Sequence, residues 1–187
     1  MLEQVNNNIE KIKNLVVDKN APYVISIDGP CAGGKSTLAS KLQEELNCNV
    51  VHMDDFYLPF DKRDKNWMNM TASHMDFDQV INTILLPYKE EGEVCYTPYD
   101  CHSDKFMQEV NIDVGEILIL EGSYSSHPKL SDYVDMKIFI DIDEAEQLRR
   151  LKVRNPKTYD KFLSMWVPFE NRYFEELKIK SQSDLIL

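Results

Sequence analysis

The chain has 187 residues, 43% of them hydrophobic and 28% charged, which predicts a single globular domain covering residues 1–187. Its net charge of −11 argues against a nucleic-acid surface, so we expect no nucleic-acid partner. No apolar run approaches the ~20 residues that cross a bilayer, and the first residues do not resemble a secretion signal, so we expect a cytoplasmic protein without a membrane partner.

Apolar runs of strand length alternate along the chain with segments whose apolar residues recur at helical spacing. This alternation predicts an α/β protein, a doubly wound parallel five-stranded sheet with helices on both faces. The predicted strands are 23–27, 49–53, 116–120, 136–142 and 184–187, and the predicted helices are 2–17, 35–46, 77–90, 143–154 and 158–178. Residues 92–115 contain two short stretches of alternating apolar residues separated by polar ones. This pattern predicts a small β-rich insertion on the substrate side. Because ligands of such sheets bind beyond the carboxyl ends of the strands, candidate site residues are those that follow each strand.

A phosphate-binding loop follows the first predicted strand, where residues 29–37 read Gly-Pro-Cys-Ala-Gly-Gly-Lys-Ser-Thr, a complete G-x-x-x-x-G-K-[ST] pattern. Its glycines let successive N–H groups form a concave nest at a helix N-terminus, where a polyphosphate binds. Lys35 is predicted to reach the β- and γ-phosphates of ATP or GTP as a catalytic residue, and Ser36 to ligate Mg²⁺. Together with the predicted sheet, this motif predicts the P-loop nucleoside triphosphate hydrolase fold. The alternative is a glycine-rich turn that binds nothing. The predicted nucleotide-binding residues are Gly29, Pro30, Cys31, Ala32, Gly33, Gly34, Lys35, Ser36 and Thr37.

Two acids and two aromatic residues follow the second predicted strand, in Met53-Asp54-Asp55-Phe56-Tyr57. A phosphoryl-transfer enzyme needs a carboxylate that orients the acceptor hydroxyl and takes its proton, and Asp54 is predicted to be this catalytic residue. Tyr57 is predicted to shape the acceptor pocket. The alternative is a helix N-cap pair with solvated charges.

A third carboxylate, Glu121, ends the apolar run 117–120. At this position a carboxylate can hold Mg²⁺ through water or position a water molecule or the acceptor, so Glu121 is a candidate for both metal and substrate binding. The alternative is an acid that caps the end of a strand. The order of the phosphate loop and the two acids supports one shared site.

Two arginines, Arg150 and Arg154, lie four residues apart on one face of the predicted helix 143–154. They could close over the nucleotide as part of a lid, residues 150–165, with Arg150 neutralising charge on the transferred phosphoryl group and Arg154 binding the nucleotide. The alternative is a solvated helix end whose cations interact with the helix dipole.

These motifs together resemble the uridine kinase and phosphoribulokinase family of P-loop kinases, and most closely its compact bacterial uridine kinase-like branch. The segment 54–57 is similar to the family's Asp-x-Phe-Tyr segment, and the resemblance implies that Asp54 is the base for a ribose 5′-hydroxyl. Pro98-Tyr99-Asp100 resembles a family segment that contacts the nucleoside base, which implies substrate-binding roles for Tyr99 and His102. The segments 121–125 and 166–174 resemble the compact branch in particular.

The sequence departs from the family pattern in two places, the loop for the acceptor and the arginine lid. Uridine kinases have an Asn-x-Asp-His-Pro-x-x-Phe-Asp stretch whose first Asp binds the ribose hydroxyls, and residues 71–78 read Thr-Ala-Ser-His-Met-Asp-Phe-Asp instead. Asp76 or His74 could take over the ribose contact, since either can hydrogen-bond a diol, but the loop could equally serve another acceptor. The second departure is an arginine lid thinner than that of uridine kinases.

The resemblance implies a kinase that uses ATP and Mg²⁺ to phosphorylate a small-molecule alcohol, in the first place the 5′-hydroxyl of uridine or cytidine. The alternatives are a kinase for another riboside, sugar or pantothenate-like alcohol, and a non-catalytic ATP-binding sensor. The sensor needs the phosphate loop but no acceptor-side base, so Asp54, Glu121 and Arg150 together favour the kinase. Homo-oligomerisation is left open.

Overall fold

A computed structural model describes residues 2–17, 19, 21–90, 93–113 and 115–187. The predicted five-stranded parallel sheet is confirmed, with the strand order β2-β7-β1-β8-β9. The strands are β1 (Tyr23–Asp28), β2 (Asn49–His52), β3 (Val94–Tyr96), β4 (Tyr99–Asp100), β5 (Lys105–Phe106), β6 (Val110–Ile112), β7 (Ile117–Glu121), β8 (Met136–Phe139) and β9 (Leu185–Ile186). The sheet therefore places the segments after β1, β2 and β7 next to one another at one edge.

Helices cover both faces of the sheet, and two of the predicted long helices are interrupted. The α-helices are α1 (Leu2–Val16), α2 (Lys35–Leu46), α3 (Phe77–Val80), α4 (Leu86–Lys89), α5 (Glu144–Arg154), α6 (Tyr159–Lys161) and α7 (Val167–Glu176). A π-helical stretch, Ile81–Leu85, joins α3 to α4, and another, Phe162–Trp166, joins α6 to α7. Each stretch precedes a proline in the next helix, Pro87 or Pro168. Proline has no N–H and its ring displaces the carbonyl four residues earlier, which explains the local change of helix geometry.

The core has two parts, one on each side of the sheet. Val24 of β1 points to one side, with α3, α4 and α7, while its neighbours Ile25 and Ile27 point to the other, with α1 and α2. The alternation follows from the twofold side-chain period of a strand that is buried on both faces. None of the helices in the described ranges has the length and apolar character needed to cross a membrane.

The segment predicted as a β-rich insertion forms two nested antiparallel pairs, β3 with β6 and β4 with β5. The ends of the predicted range include Gly92 and Val114, which lie outside the described residues. The insertion is joined to the edge of the main sheet by a hydrogen bond in which the Tyr96 hydroxyl donates to Asp55 Oδ2, 2.9 Å away.

Candidate active site

A cavity of about 1010 Å³ opens at the carboxyl ends of β1, β2 and β7. Its wall combines the phosphate-binding loop, the acidic turn after β2, the turn after β7, the β4 end of the insertion and the region from α5 to the second π-helical stretch. A cavity of this size can hold a nucleotide and a small second substrate together. The sheet thus brings the segments that follow separate strands into one space.

The phosphate-binding loop has the backbone that its sequence requires. Gly29 has a φ of 138°, and a Cβ there would lie 2.5 Å from the carbonyl oxygen of Ile140, so only glycine fits. Seven of the nine predicted nucleotide-binding residues, 31–37, line the cavity, while Gly29 and Pro30 do not. The loop ends at α2, so its N–H groups meet a helix N-terminus, which favours an anion.

Lys35 is held close to this loop, with only 7% of the residue exposed. Its ammonium donates to the carbonyl oxygens of Gly29 and Pro30, at 2.7 and 3.0 Å, and to Ser123 Oγ at 3.3 Å. The cation is therefore fixed between the loop and the turn that follows β7. This position lies on the cavity wall, where a phosphate in the loop would be within its reach.

Ser36 and Glu121 form a paired oxygen site at the end of β7. The Ser36 hydroxyl donates to Glu121 Oε1 at 3.0 Å, and His52 Nδ1 lies 2.7 Å from Glu121 Oε2. The carboxylate raises the pKa of His52 above its usual value, mainly through this hydrogen bond. A hydroxyl and a carboxylate oxygen are hard ligands, so this pair fits Mg²⁺. His52 was missed from the sequence, although a polar residue at the end of a predicted strand was a signal for it.

The two acids after β2 have different environments in the 3-10 turn Met53–Phe56. Asp54 lines the cavity, and its Oδ1 accepts a long hydrogen bond of 3.3 Å from the Tyr57 hydroxyl. Asp55 also lines the cavity but accepts from Tyr96, as described above, and burial raises its pKa. Asp54 thus has fewer hydrogen-bond restraints on its carboxylate at the cavity wall than Asp55, and Tyr57 lies beside it.

The arginines and the insertion residues named from the sequence line the cavity too. Arg150 Nη1 donates to the carbonyl oxygen of Gly33 at 3.2 Å, so its guanidinium lies against the phosphate loop. Arg154 lies farther along the same wall. On the side of the insertion, the Tyr99 hydroxyl donates to Asp104, and the His102 side chain is 92% exposed at the rim.

Asp76 is a predicted substrate residue that the structure does not bring to the cavity. Its Oδ1 accepts a 2.9 Å hydrogen bond from the backbone N–H of Gln79 and caps the start of α3. Capping of this kind is a common role of Asp at a helix start and competes with any role in ligand binding. The Thr71–Asp78 loop therefore supplies no carboxylate to this cavity from position 76.

Glu170 is a buried acid of the site that we did not assign from the sequence. It lies on α7, is 6% exposed and lines the cavity. Its Oε2 accepts from the Cys31 N–H at 2.9 Å, and its Oε1 accepts from the Ser123 hydroxyl at 2.6 Å. Gln147 of α5 donates to the carbonyl oxygen of Cys31 at 3.1 Å. The helices on both sides of the predicted lid thus bind the same residue of the phosphate loop.

We expect Glu170→Gln to lower the free energy of unfolding by about 1–3 kcal/mol, because the amide NH₂ would face one of the two donors and leave a buried polar group unpaired. For a domain of this size, the melting temperature should fall by roughly 2–10 °C in thermal denaturation. Glu175→Gln, on the exposed side of the same helix, is the matched control and should melt like the wild type. A wild-type melting temperature for Glu170→Gln would show that these hydrogen bonds do not hold the loop.

His74 is enclosed by aromatic rings behind the acceptor side of the cavity. It is 1% exposed, and neither ring nitrogen has a hydrogen-bond partner among the described residues. Its ring centroid lies 5.0–5.9 Å from five others, those of Tyr57, Trp67, Tyr124, Trp166 and Phe169. Burial, with a smaller contribution from Arg63, lowers the pKa of His74 to about 3. The ring is therefore neutral, and it does not line the cavity.

This buried histidine should make the fold sensitive to acid. The folded pKa of about 3 lies below the ordinary value of 6.5, so the unfolded chain binds the proton more tightly and stability falls as the pH drops below 6.5. At about pH 5 the wild type should have lost about 2 kcal/mol through this residue. Urea denaturation near neutral pH and near pH 5 should show a loss about 2 kcal/mol smaller in His74→Phe than in the wild type. Part of the loss remains in the variant, because burial also lowers the pKa of His127, to about 4. The exposed His102→Phe should keep the wild-type pH dependence; a similar pH dependence in His74→Phe would contradict the assignment.

Comparison with known proteins agrees with this geometry. The profile of the Phosphoribulokinase / Uridine kinase family matches residues 24–157. Uridine-cytidine kinase A of Dictyostelium discoideum is 29% identical over 181 residues, covering 89% of this chain and 36% of that protein. Pantothenate kinase of Mannheimia succiniciproducens is 27% identical over 190 residues, covering 89% of this chain and 58% of that protein.

The similarity extends to solved structures. A structure described as a possible uridine kinase from Bacillus stearothermophilus matches with a TM-score of 0.75 at 17% identity, covering 99% of this chain and 97% of that one. At this identity the likeness establishes the fold alone. The chain spans about a third of the length of the Dictyostelium relative and 58% of the length of the pantothenate kinase. Because the family profile covers well over half of its residues, the chain belongs to the phosphoribulokinase/uridine kinase family.

Proposed function

We propose that this protein is an ATP-dependent kinase that transfers the γ-phosphoryl group to a hydroxyl of a small metabolite. The observation that carries the proposal is the shared cavity, in which the phosphate-binding loop and the Asp54 carboxylate face the same space. A protein that only senses ATP needs the loop but not an acid on the acceptor side. Phosphoryl transfer needs both, since its rate depends on holding the two substrates in line and stabilising the transferred group.

In this proposal, each residue of the site acts on the nucleotide, on the metal ion or on the acceptor. Residues 29–37 bind the nucleotide, with Lys35 and Arg150 stabilising charge on the transferred group and Arg154 closing over it. Ser36 and Glu121 would hold Mg²⁺, which when bound neutralises charge on the β- and γ-phosphates. Asp54 orients the acceptor hydroxyl and takes its proton.

Two classes of alcohol are candidates for the acceptor that would bind beside Asp54. The names of relatives such as uridine-cytidine kinase A support the 5′-hydroxyl of uridine or cytidine, with Tyr57, Tyr99 and His102 as the residues that would contact the nucleoside. The second class is another riboside, sugar or pantothenate-like alcohol. It is favoured by the position of Asp76, which caps a helix and leaves the ribose contact of the nucleoside pattern without this candidate.

The test is mass-spectrometric detection of phosphorylated product from MgATP and a mixed panel of nucleosides, vitamin ribosides, sugars and pantothenate. Product from uridine or cytidine would establish the first class, and product from another alcohol would establish the second. ATP binding without product from any acceptor would count against the kinase and favour a sensor.

A further inference from the structure

Arg63 is a buried cation in the wall of the cavity, seven residues beyond the end of the turn that carries Asp54. It is 8% exposed. Its guanidinium carbon lies 4.1 Å from the ring centroid of Phe60 and 4.9 Å from that of Trp67, and its Nε donates to the carbonyl oxygen of Leu58 at 2.8 Å. The two rings and this one hydrogen bond fix the plane of the guanidinium.

The fold leaves most of the hydrogen-bonding capacity of this group unused. A guanidinium has five N–H donors, and Nε accounts for one of them. Nη2 is buried with no hydrogen-bond partner, and Arg63 takes part in none of the ion pairs formed by the residues that the structure describes. Arginine stays charged in proteins, and an unpaired buried charge is costly. The site therefore holds a positive charge for which the described part of the chain provides no counter-ion.

Arg63 belongs to the acceptor end of the cavity. It lines the wall together with Tyr57, Phe60 and Tyr99. Asp104, an acid of the insertion whose charge acts on Arg63, accepts a hydrogen bond from the Tyr99 hydroxyl. The nucleotide end has cations of its own in Lys35 and Arg150, which lie against the phosphate loop. A counter-ion for Arg63 is therefore expected from the second substrate and not from the nucleotide.

We propose that Arg63 binds an anionic group of the acceptor, a carboxylate or a phosphate, and so selects negatively charged alcohols. The proposal rests on the phosphotransfer function proposed above and narrows its choice of substrate. A guanidinium N–H donates a charge-assisted hydrogen bond to either anion, and such bonds are about twice as strong as those between neutral groups. Uridine and cytidine carry no anionic group, so the proposal ranks acceptors of the pantothenate type above them.

Binding measurements test the proposal without relying on turnover. Isothermal titration calorimetry, with a non-hydrolysable ATP analogue and Mg²⁺ present, compares two probe pairs that differ in one anionic group. Pantothenate and panthenol differ by a carboxylate; ribose 5-phosphate and ribose differ by a phosphate. We expect the anionic member of at least one pair to bind about 10- to 100-fold more tightly than its neutral partner. The pair that shows this difference identifies the kind of anion.

Variants connect that preference to the residue. Arg63→Gln should remove the difference within the pair and leave binding of the neutral probe unchanged, and Arg63→Lys should retain part of it. Arg172→Gln is the matched control, because Arg172 also lies over an aromatic ring, Phe169, but outside the cavity. Thermal denaturation of each variant shows whether the fold is intact.

Two results would overturn the proposal: neither anionic probe binding more tightly than its neutral partner, or an anion preference that survives in Arg63→Gln. Either would leave Arg63 with a structural role in packing against Phe60 and Trp67. Failure of the kinase function gives a different result. In that case a probe binds in an Arg63-dependent way, but no phosphorylated product forms from the probe and MgATP.

Discussion

Asp54→Asn should reduce turnover by about 100- to 10,000-fold while leaving the affinity for ATP within about twofold of the wild type. Asparagine keeps the size of the side chain but cannot accept the proton of the acceptor hydroxyl. The carboxylate faces the cavity, and its one hydrogen-bond partner among the residues that the structure describes is the Tyr57 hydroxyl, 3.3 Å away, so the fold should tolerate the change. The measurements are kcat with the acceptor found in the panel and the dissociation constant of ATP by calorimetry.

The neighbouring acid supplies the control for this prediction. Asp55→Asn also removes a charge from the cavity wall, but its carbonyl oxygen can still accept from the Tyr96 hydroxyl. We expect its turnover to stay within about tenfold of the wild type. Equal losses in the two variants would point to the summed negative charge of the turn, and unchanged turnover in Asp54→Asn would remove Asp54 from the mechanism.

The parts of the site that the sequence predicted are those determined by local chain geometry. The loop at 29–37 is a contiguous motif, and the acids at 54 and 121 follow apolar runs whose carboxyl ends must meet at one edge of a parallel sheet. The five strands could be predicted for the same reason. Helices 77–90 and 158–178 were predicted as continuous. The periodicity of their apolar residues gives no sign of the change in backbone geometry before Pro87 and Pro168.

The parts that could not be predicted depend on contacts between distant residues. Glu170 and Cys31 are 139 positions apart, and the sequence around Glu170 resembles the family without indicating a contact with the loop. Arg63 lies in the charged stretch Asp61–Lys65, which is typical of a solvated turn. In the fold its guanidinium lies over the rings of Phe60 and Trp67, which are contacts that the local sequence does not predict. Asp76 is the reverse case. The predicted helix 77–90 already placed it at a capping position, but its ability to hydrogen-bond a diol suggested a ribose contact.

Lys35→Met should reduce kcat by about 100- to 1,000-fold, the effect of removing one pre-positioned donor from the developing charge of the transition state. Methionine fills the volume of the aliphatic stem but cannot donate to a phosphate. The carbonyl oxygens of Gly29 and Pro30 lose a donor at the same time, which should cost about 1 kcal/mol of stability. Steady-state kinetics and thermal denaturation measure the two effects separately.

Lys41→Met, on the same helix α2 but away from the cavity, is the matched control and should keep wild-type turnover. Ser123→Ala adds a second comparison, because the Ser123 hydroxyl lies 3.3 Å from the Lys35 ammonium and 2.6 Å from Glu170 Oε1. If Ser123 positions Lys35, its loss should reduce kcat in the wild type but have little further effect in Lys35→Met. Additive losses would mean that the two side chains act independently, and a Lys35→Met enzyme with normal kcat would place the charge-stabilising role on Arg150 instead.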